Sequence, residues 1–412
     1  MSLPSARPNL IPSQNNRNGN PIYTAGVIPS LKDLDWHSFL ERPRLPSPTL
    51  GALDALRQET ILITGAGGSI GSALALRLGT FSTGKLVLLE ASESNLYALK
   101  RDWADAFAGG PNPHARSMSP ILGSADDRAL LDEIFFMYAP RIVFHAAAFK
   151  HVPLMEEQPL AAIANNVFAT EILTEAAAAR GSRVVLLSTD KAVEPASVMG
   201  ATKRIAEQIV LARGGTVLRL GNVLASRDSV AEVFAGQIAQ GGPITITDPA
   251  ARRYFLTLDE AVDLLLTAAA LPLGAPSISR SLRNGWESTL LVPVLPKTHF
   301  IADLARFMAR ELCPEGEVAI DFTAHRPGDK EAEQLWSAGD RTSASSLEGL
   351  VLIESALPAQ AELASRLAGL RAALDARNLR DALTHLRALV PDYTPSRTLL
   401  ALAQQSMPGV CL

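Results

Sequence analysis

Runs of four or five apolar residues alternate along the chain with longer stretches in which apolar positions recur every three or four residues. From residue 60 to about 240 this rhythm predicts strands and helices by turns. Thr60-Ile-Leu-Ile-Thr64 is the first strand, followed by an Ala/Leu-rich helix. Lys85-Leu-Val-Leu-Leu-Glu90 is the second, and a third begins at Ile121 with a helix over Arg128–Tyr138 behind it. A fourth starts at Arg141-Ile-Val-Phe, and a long Ala-rich helix covers Leu160–Arg180. Val184-Val-Leu-Leu187 reads as a buried parallel strand leading into a helix over Gly200–Arg213, and Thr216–Leu224 gives the next strand. Continuous apolar runs fit strands covered on both faces. The order predicts an α/β, Rossmann-like doubly wound parallel sheet over residues 51–240.

The texture changes on either side. Residues 1–50 hold eight of the 27 prolines and the polar run 13–20, which predicts an extended, partly disordered arm with one short helix around Leu31–Leu40. Beyond 240, short polar or Gly/Pro-rich pieces separate apolar segments. Residues 241–412 are expected to form mainly a smaller substrate-binding and C-terminal helical region, with parts interleaved with the sheet domain. Ala359–Leu389 is amphipathic at helical spacing and reads as a packing helix pair.

Composition narrows the class. Of 412 residues 47% are apolar and 19% charged, enough for a well-buried core. A net charge of −4 with no basic block argues against a nucleic-acid partner. Cys313 and Cys411 make neither a disulfide framework nor a metal-ligand spacing. The most apolar stretch, Ala261–Ala275, is interrupted by Asp263 and Thr267 and is shorter than the roughly 20 residues a membrane span needs. The N-terminus lacks the continuous apolar core of a signal peptide, and the expected location is the cytoplasm.

The candidate chemistry lies at the strand ends. Gly65, Gly68 and Gly71 stand between the first strand and its helix. Gly65 permits the tight turn, Gly68 lets backbone approach a pyrophosphate, and Gly71 lets helix and strand pack closely. With Ser69 and Ile70 they open a helix whose free N–H groups and positive dipole end suit phosphate. Glu90 ends the second strand, where a carboxylate bonds the adenosine ribose and repels a 2′-phosphate; NAD is expected over NADP, although Lys100 and Arg101 are not far along the next helix. Asp126 follows the third strand, near the expected adenine. Ala146, Ala147 and Ala148 leave room for cofactor at the fourth strand's end, and Lys150 and His151 follow, facing the site. His145 reads as a packed structural histidine. Asn165 and Asn166 form a costly amide pair in an apolar helix, so one is expected to bond backbone or ligand, with Asn166 the cofactor candidate.

Ser188-Thr-Asp-Lys191, at the carboxyl end of a parallel strand, sits where open α/β sheets bind ligands. Met199 and Lys203 are four apart and share a helix face. That spacing resembles the Tyr-x-x-x-Lys of short-chain dehydrogenase/reductases, with Met in place of Tyr.

Together these pieces resemble the extended short-chain dehydrogenase/reductases that act on nucleotide sugars, and among them the polysaccharide-biosynthesis group of UDP-N-acetylglucosamine 4,6-dehydratases. The likeness is carried by Thr64–Gly71, Ala146–Glu156, Ser188–Val193, Met199–Arg204, Arg219–Val223, Gly241–Thr247, Arg326–Lys330 and Val390–Ser396. Departures from the group are Asp228 within Ser226–Val230, Ser124 where an acidic residue is common, and a rewritten stretch over Leu271–Ser288. The resemblance implies an internal redox cycle on a UDP-sugar. Hydride moves from sugar C4 to NAD, the C5 proton and the C6 hydroxyl are lost as water, and hydride returns to C6. Asp190 is the candidate acid toward the C6 oxygen, a role that asks for a pKa raised by burial, and Lys191 the candidate base at C5. As a close ion pair each would shift the other the opposite way, so they must titrate together or point apart. Thr189 is expected to bond O4, and Lys203 and Ser188 to hold cofactor. Met199 cannot take the O4 proton, which passes to Lys191 or a water, or C4 is not oxidised. Lys150, His151, Asn222, Arg227, Thr245, Arg253 (or Arg252) and Arg326 are the substrate candidates, with Ile244-Thr-Ile246 lining uracil by strand-like pairing. The resemblance also implies a homo-oligomer. An epimerase or 4-ketoreductase of the same fold, or a non-catalytic NAD-binding protein, remain the alternatives.

Overall fold

A computed structural model describes residues 12–15, 21–23, 31–81, 84–108, 118–270, 288–314, 316–355 and 357–405. Most of the polar run at 13–20, all but Ser288 of the stretch from Leu271, and Cys411 lie outside the described residues. The chain divides into two compact units. The larger holds residues 45–221, 259–295 and 326–412; the smaller is drawn from residues 1–44, 222–258 and 296–325.

The larger unit is built on nine strands. Seven run parallel: β1 (Ile61–Thr64), β2 (Leu86–Glu90), β3 (Met118–Leu122), β4 (Ile142–His145), β5 (Arg183–Thr189), β6 (Thr216–Leu220) and β7 (Thr289–Pro293). Then β8 (Arg341–Ala344) and β9 (Leu350–Glu354) add an antiparallel edge. The order across the sheet is β8-β9-β7-β6-β5-β4-β1-β2-β3. Connections therefore reverse direction between β1 and β4, and such a switch point opens a crevice at the strands' carboxyl ends. β1, β2 and β4 are buried at every position, which is why they read as continuous apolar runs.

The helices needed are α1 (Ser69–Phe81), α2 (Glu93–Phe107), α3 (Arg128–Tyr138), α4 (Ala169–Ala179), α5 (Val198–Leu211), α6 (Gln360–Asp375), α7 (Leu379–Leu389) and α8 (Arg397–Gln405). Two differ from expectation. The long helix over Leu160–Arg180 is a short α-helix, Pro159–Ile163, then a π-helical turn over Ala164–Phe168, then α4. The turn coincides with Asn165-Asn166, whose polar groups make the local bonds described below. α5 begins at Val198 rather than Gly200, because Ser197 caps it by accepting from the Gly200 N–H at 3.1 Å.

α6, α7 and α8 bury Leu367, Leu370, Leu383, Leu386 and Leu399 in one apolar cluster with Phe168, Met199, Ile205 and Ile209. The C-terminal helices thus contribute to the larger unit's own core.

The smaller unit gathers a core around Trp36, Phe39, Phe234, Phe255 and Phe307. Its short pairings include a parallel pair, Ile244–Ile246 with Ile320–Phe322, and another, Asn222–Val223 with Phe255–Leu256. The helix expected near Leu31–Leu40 is present as a 3-10 turn, Leu31–Asp33, and an α-helix, Trp36–Leu40. Among the described residues no helix is long and apolar enough to cross a membrane.

Candidate active site

A cleft of about 290 Å³ opens at the switch point, walled by Gly65, Gly68, Glu90, Asn95, Ser124, Ala125, Ala146, Ala147, Ala148 and Asn165 among others. Its floor is shaped by small residues. Gly65 has φ +65°, and a Cβ there would lie 2.7 Å from backbone atoms of Ala147. A Cβ on Gly71 would lie 2.2 Å from the Gly65 carbonyl oxygen. Gly71 therefore packs helix on strand and, with Ser69 and Ile70, does not line the cleft; what these three bring is the start of α1.

Glu90 is buried, with one oxygen accepting from the Gly67 N–H at 2.8 Å and the other from the Ser92 N–H at 2.9 Å. The bonds fix the carboxylate at the cleft wall. Neither Lys100 nor Arg101 lines the cleft, and Arg101 pairs with Asp102. Alanine walls, a glycine turn, a helix N-terminus and a fixed carboxylate suit a dinucleotide with a free 2′-hydroxyl.

Several expected cofactor residues are elsewhere. Asp126 is exposed on the turn before α3 and does not line the cleft, whose wall there is Ser124 and Ala125. Asn166 is buried and fully engaged. Its Nδ2 donates to the Phe149 carbonyl and Thr202 Oγ1, and its Oδ1 accepts from the Phe149 N–H. It latches the loop after β4 to α5, and its neighbour Asn165 lines the cleft instead. The hydroxyl of Ser188 points away too, donating to Glu207 Oε1 at 2.6 Å. Of the Asn165-Asn166 pair it is Asn165 that lines the cleft, and Asn95 is a wall residue not expected from the sequence; a polar side chain in the first turn of the helix after Glu90 is the signal for it.

The candidate catalytic cluster lies at the end of β5. Asp190 is fully buried. Its Oδ1 accepts from Thr189 Oγ1 at 2.9 Å and from Lys191 Nζ at 3.0 Å, while Oδ2 has no hydrogen-bond partner among the described residues. The two side chains do not point apart; they form an ion pair. Lys203 is buried on α5 and donates to the Leu187 carbonyl at 2.7 Å. Burial lowers its pKa to about 8, with Glu207 acting in the opposite sense. His145 is buried between Thr64 (2.7 Å) and Thr170 (2.9 Å), and burial, then the Lys203 charge, pushes its pKa down to about 3. It is a structural histidine, as read from the sequence.

Met199, placed among the catalytic candidates, is a core residue: it is buried and packs in the cluster shared with α6–α8.

A profile of the family described as "Polysaccharide biosynthesis protein" matches residues 61–355. The chain belongs to this family. It is 37% identical over 320 residues to the probable polysaccharide biosynthesis protein EpsC of Bacillus subtilis (strain 168), covering 76% of this chain and 50% of that one. It is 37% identical over 289 residues to the capsular polysaccharide biosynthesis protein CapD of Staphylococcus aureus, covering 68% and 45%. The chain spans about half the length of these curated relatives. A UDP-glucose 4-epimerase of Rickettsia rickettsii is 32% identical over 300 residues, covering 70% and 81%. Among solved structures, Pen from Bacillus thuringiensis superimposes with a TM-score of 0.63 at 25% identity, covering 74% of this chain and 90% of that one. The dTDP-glucose 4,6-dehydratase DesIV of Streptomyces venezuelae, with NAD and TYD bound, has a TM-score of 0.55 at 18% identity, covering 67% and 88%, and speaks for the fold alone.

The residues matched to the family include the glycine turn and the whole Thr189–Lys203 segment, while α6–α8 lie beyond them. Of the substrate candidates, Lys150, His151 and Arg326 belong to the larger unit and are exposed, Arg326 pairing locally with Asp329 at 3.0 Å. Asn222, Arg227, Thr245 and Arg253 belong to the smaller unit. Arg253 is buried and Arg227 exposed. The expected pairing of Ile244–Ile246 with a base meets an obstacle: one edge pairs with Ile320–Phe322, and on the other the Thr245 N–H donates to Gln237 Oε1 at 3.0 Å.

Proposed function

We propose that this chain is a nucleotide-sugar 4,6-dehydratase that uses NAD and acts on UDP-N-acetylglucosamine or a related UDP-sugar. The observation that carries the reading is Asp190: a fully buried carboxyl with one oxygen held by Thr189 and Lys191 and the other without a partner among the described residues. An orphaned buried oxygen is costly unless a ligand or proton completes it.

NAD, when bound, supplies a hydride acceptor for sugar C4 and a hydride donor for C6. The cofactor's holders are the Gly65–Gly71 turn, Glu90, Ala146–Ala148 and, at its nicotinamide end, Lys203. Thr189 Oγ1 receives the O4 proton while its own passes to Asp190 Oδ1 along the bond already present. Asp190, now a carboxylic acid, gives that proton to the C6 oxygen, which departs as water. Lys191 removes the C5 proton, exchanges it with solvent, and later delivers a proton to C5. The proton balance closes: the Thr189 hydroxyl proton leaves in the water, the O4 proton replaces it on Thr189, and all three side chains end as they began. A phenol at position 199 is not needed, which accords with Met199 lying in the core.

The second reading is a UDP-sugar 4-epimerase, favoured by the likeness to the Rickettsia enzymes. Incubation with NAD and UDP-N-acetylglucosamine in heavy water, followed by mass spectrometry and NMR, separates the two. Dehydration predicts loss of one water and deuterium at C5. Inversion at C4 without mass loss would replace the proposal by epimerisation, and an unchanged panel of UDP-sugars would remove both.

A further inference from the structure

Behind the reactive cluster lies a buried carboxylate that the mechanism above does not use. Glu207 is on α5, one turn after Lys203, and fully buried. Its Oε1 accepts from Ser188 Oγ at 2.6 Å and from Arg219 Nε at 2.8 Å. Its Oε2 accepts from Arg219 Nη2 at 2.8 Å and Arg204 Nη1 at 3.1 Å. Arg219 is itself fully buried on β6, directly across from Ser188 in the strand register, and reaches on to the Leu335 carbonyl at 3.1 Å. Arg204 reaches on to Ser355 Oγ at 2.7 Å. One side chain therefore ties β5, β6 and α5 to two later loops.

Burying such a group is expensive, and apolar residues would fill the space at lower cost. Its location supplies a reason. Ser188 immediately precedes Thr189, and neighbouring strand residues point to opposite faces. Holding the Ser188 hydroxyl on the inner face sets the rotation of the peptide that presents Thr189 on the other face and Asp190 after it.

We propose that Glu207 is a positioning residue for the reaction: through Ser188 it fixes the orientation of the strand end that carries Thr189 and Asp190. The proposal rests on the dehydratase reading for its kinetic consequence, but its structural consequence does not.

Ser188→Ala cuts the tether and leaves the Glu207–Arg219 pair intact, so this variant keeps the fold. Ser188→Thr keeps the hydroxyl. Two readouts are taken on the full chain with NAD: kcat and KM for UDP-N-acetylglucosamine, and the methyl NMR signal of Thr189 in threonine-labelled protein, assigned with Thr189→Ser. Ser188→Ala is expected to lower kcat by about 10- to 100-fold, the effect of a misplaced reacting group, with KM and melting temperature little changed. It should also shift or broaden the Thr189 methyl signal, and Ser188→Thr should restore both. An unmoved methyl signal overturns the proposal, as does a loss of activity that only follows a loss of melting temperature. Should the wild type turn over no UDP-sugar, the dehydratase reading fails, and the methyl signal alone decides whether the tether orients the strand end.

Discussion

His145, Lys203 and Glu207 sit in the larger unit with almost no access to water, and each carries a pKa far from its ordinary value. For His145 the folded value, about 3, is below the ordinary 6.5. The unfolded chain therefore binds a proton between pH 6.5 and 3 that the folded chain does not, and stability falls as pH drops through that window. Glu207 adds to this lower down. Burial alone would raise its pKa, but Arg219, Arg204 and Ser188 together bring it to about 2, so its contribution is lost between about pH 4.5 and 2. Replacing His145 with Gln should flatten the urea-denaturation stability between pH 6.5 and 5 relative to wild type; an unchanged slope would show that His145 does not titrate this way. Asp190→Asn and Lys191→Ala should each abolish turnover while NAD remains bound, measured by isothermal titration and by water loss from the sugar. Full activity in either variant would sink the roles given to them.

Among the elements, the β1–α1 turn is the least tolerant of change. At Gly65 an added Cβ meets both a left-handed φ and backbone at 2.7 Å, neither of which a rotamer change relieves. Gly65→Ala is expected to cost on the order of 1–3 kcal/mol through overpacking alone, and to weaken NAD binding by deforming the cleft wall. Thermal melts and cofactor titration check both effects together. The π-turn at Ala164–Phe168 is the other element where local detail reaches the site. It sits where Asn165 takes a place in the cleft wall and Asn166 bonds the loop after β4 and Thr202. A helix predicted from apolar spacing alone carries no sign of that insertion, because one extra residue in a turn barely disturbs the pattern.

At the scale of the whole molecule, the C-terminal helices share a single core with helix α5, which carries Lys203 and Glu207. Leu386 lies in that core and is fully buried. Leu386→Ala should therefore destabilise the larger unit by about 2–5 kcal/mol, in one transition seen equally by far- and near-ultraviolet circular dichroism. Two separate transitions would mean that α6–α8 form a unit of their own. The smaller compact unit collects three separated stretches of chain. Texture reports what a segment is made of, whereas unit membership depends on which distant segments it packs against.

The sheet was already written in the order of residues. Apolar runs too continuous for one-sided burial forced parallel strands covered on both faces, and glycines at 65 and 71 mark backbone contacts no side chain could share. The Ser188–Lys191 cluster was legible because the carboxyl end of such a strand is where the fold leaves room. The direction in which individual side chains turn came from packing in three dimensions. Met199 and Ser188 face inward, Asn165 rather than Asn166 reaches the cleft, and Asp126 stays in solvent. Packing also makes Glu207, Arg204 and Arg219 converge, three ordinary charged residues along the chain that join in one network around a fully buried carboxylate. Periodicity gives a residue's face to within a quarter turn, while hydrogen bonding to a partner dozens of positions away sets the final direction.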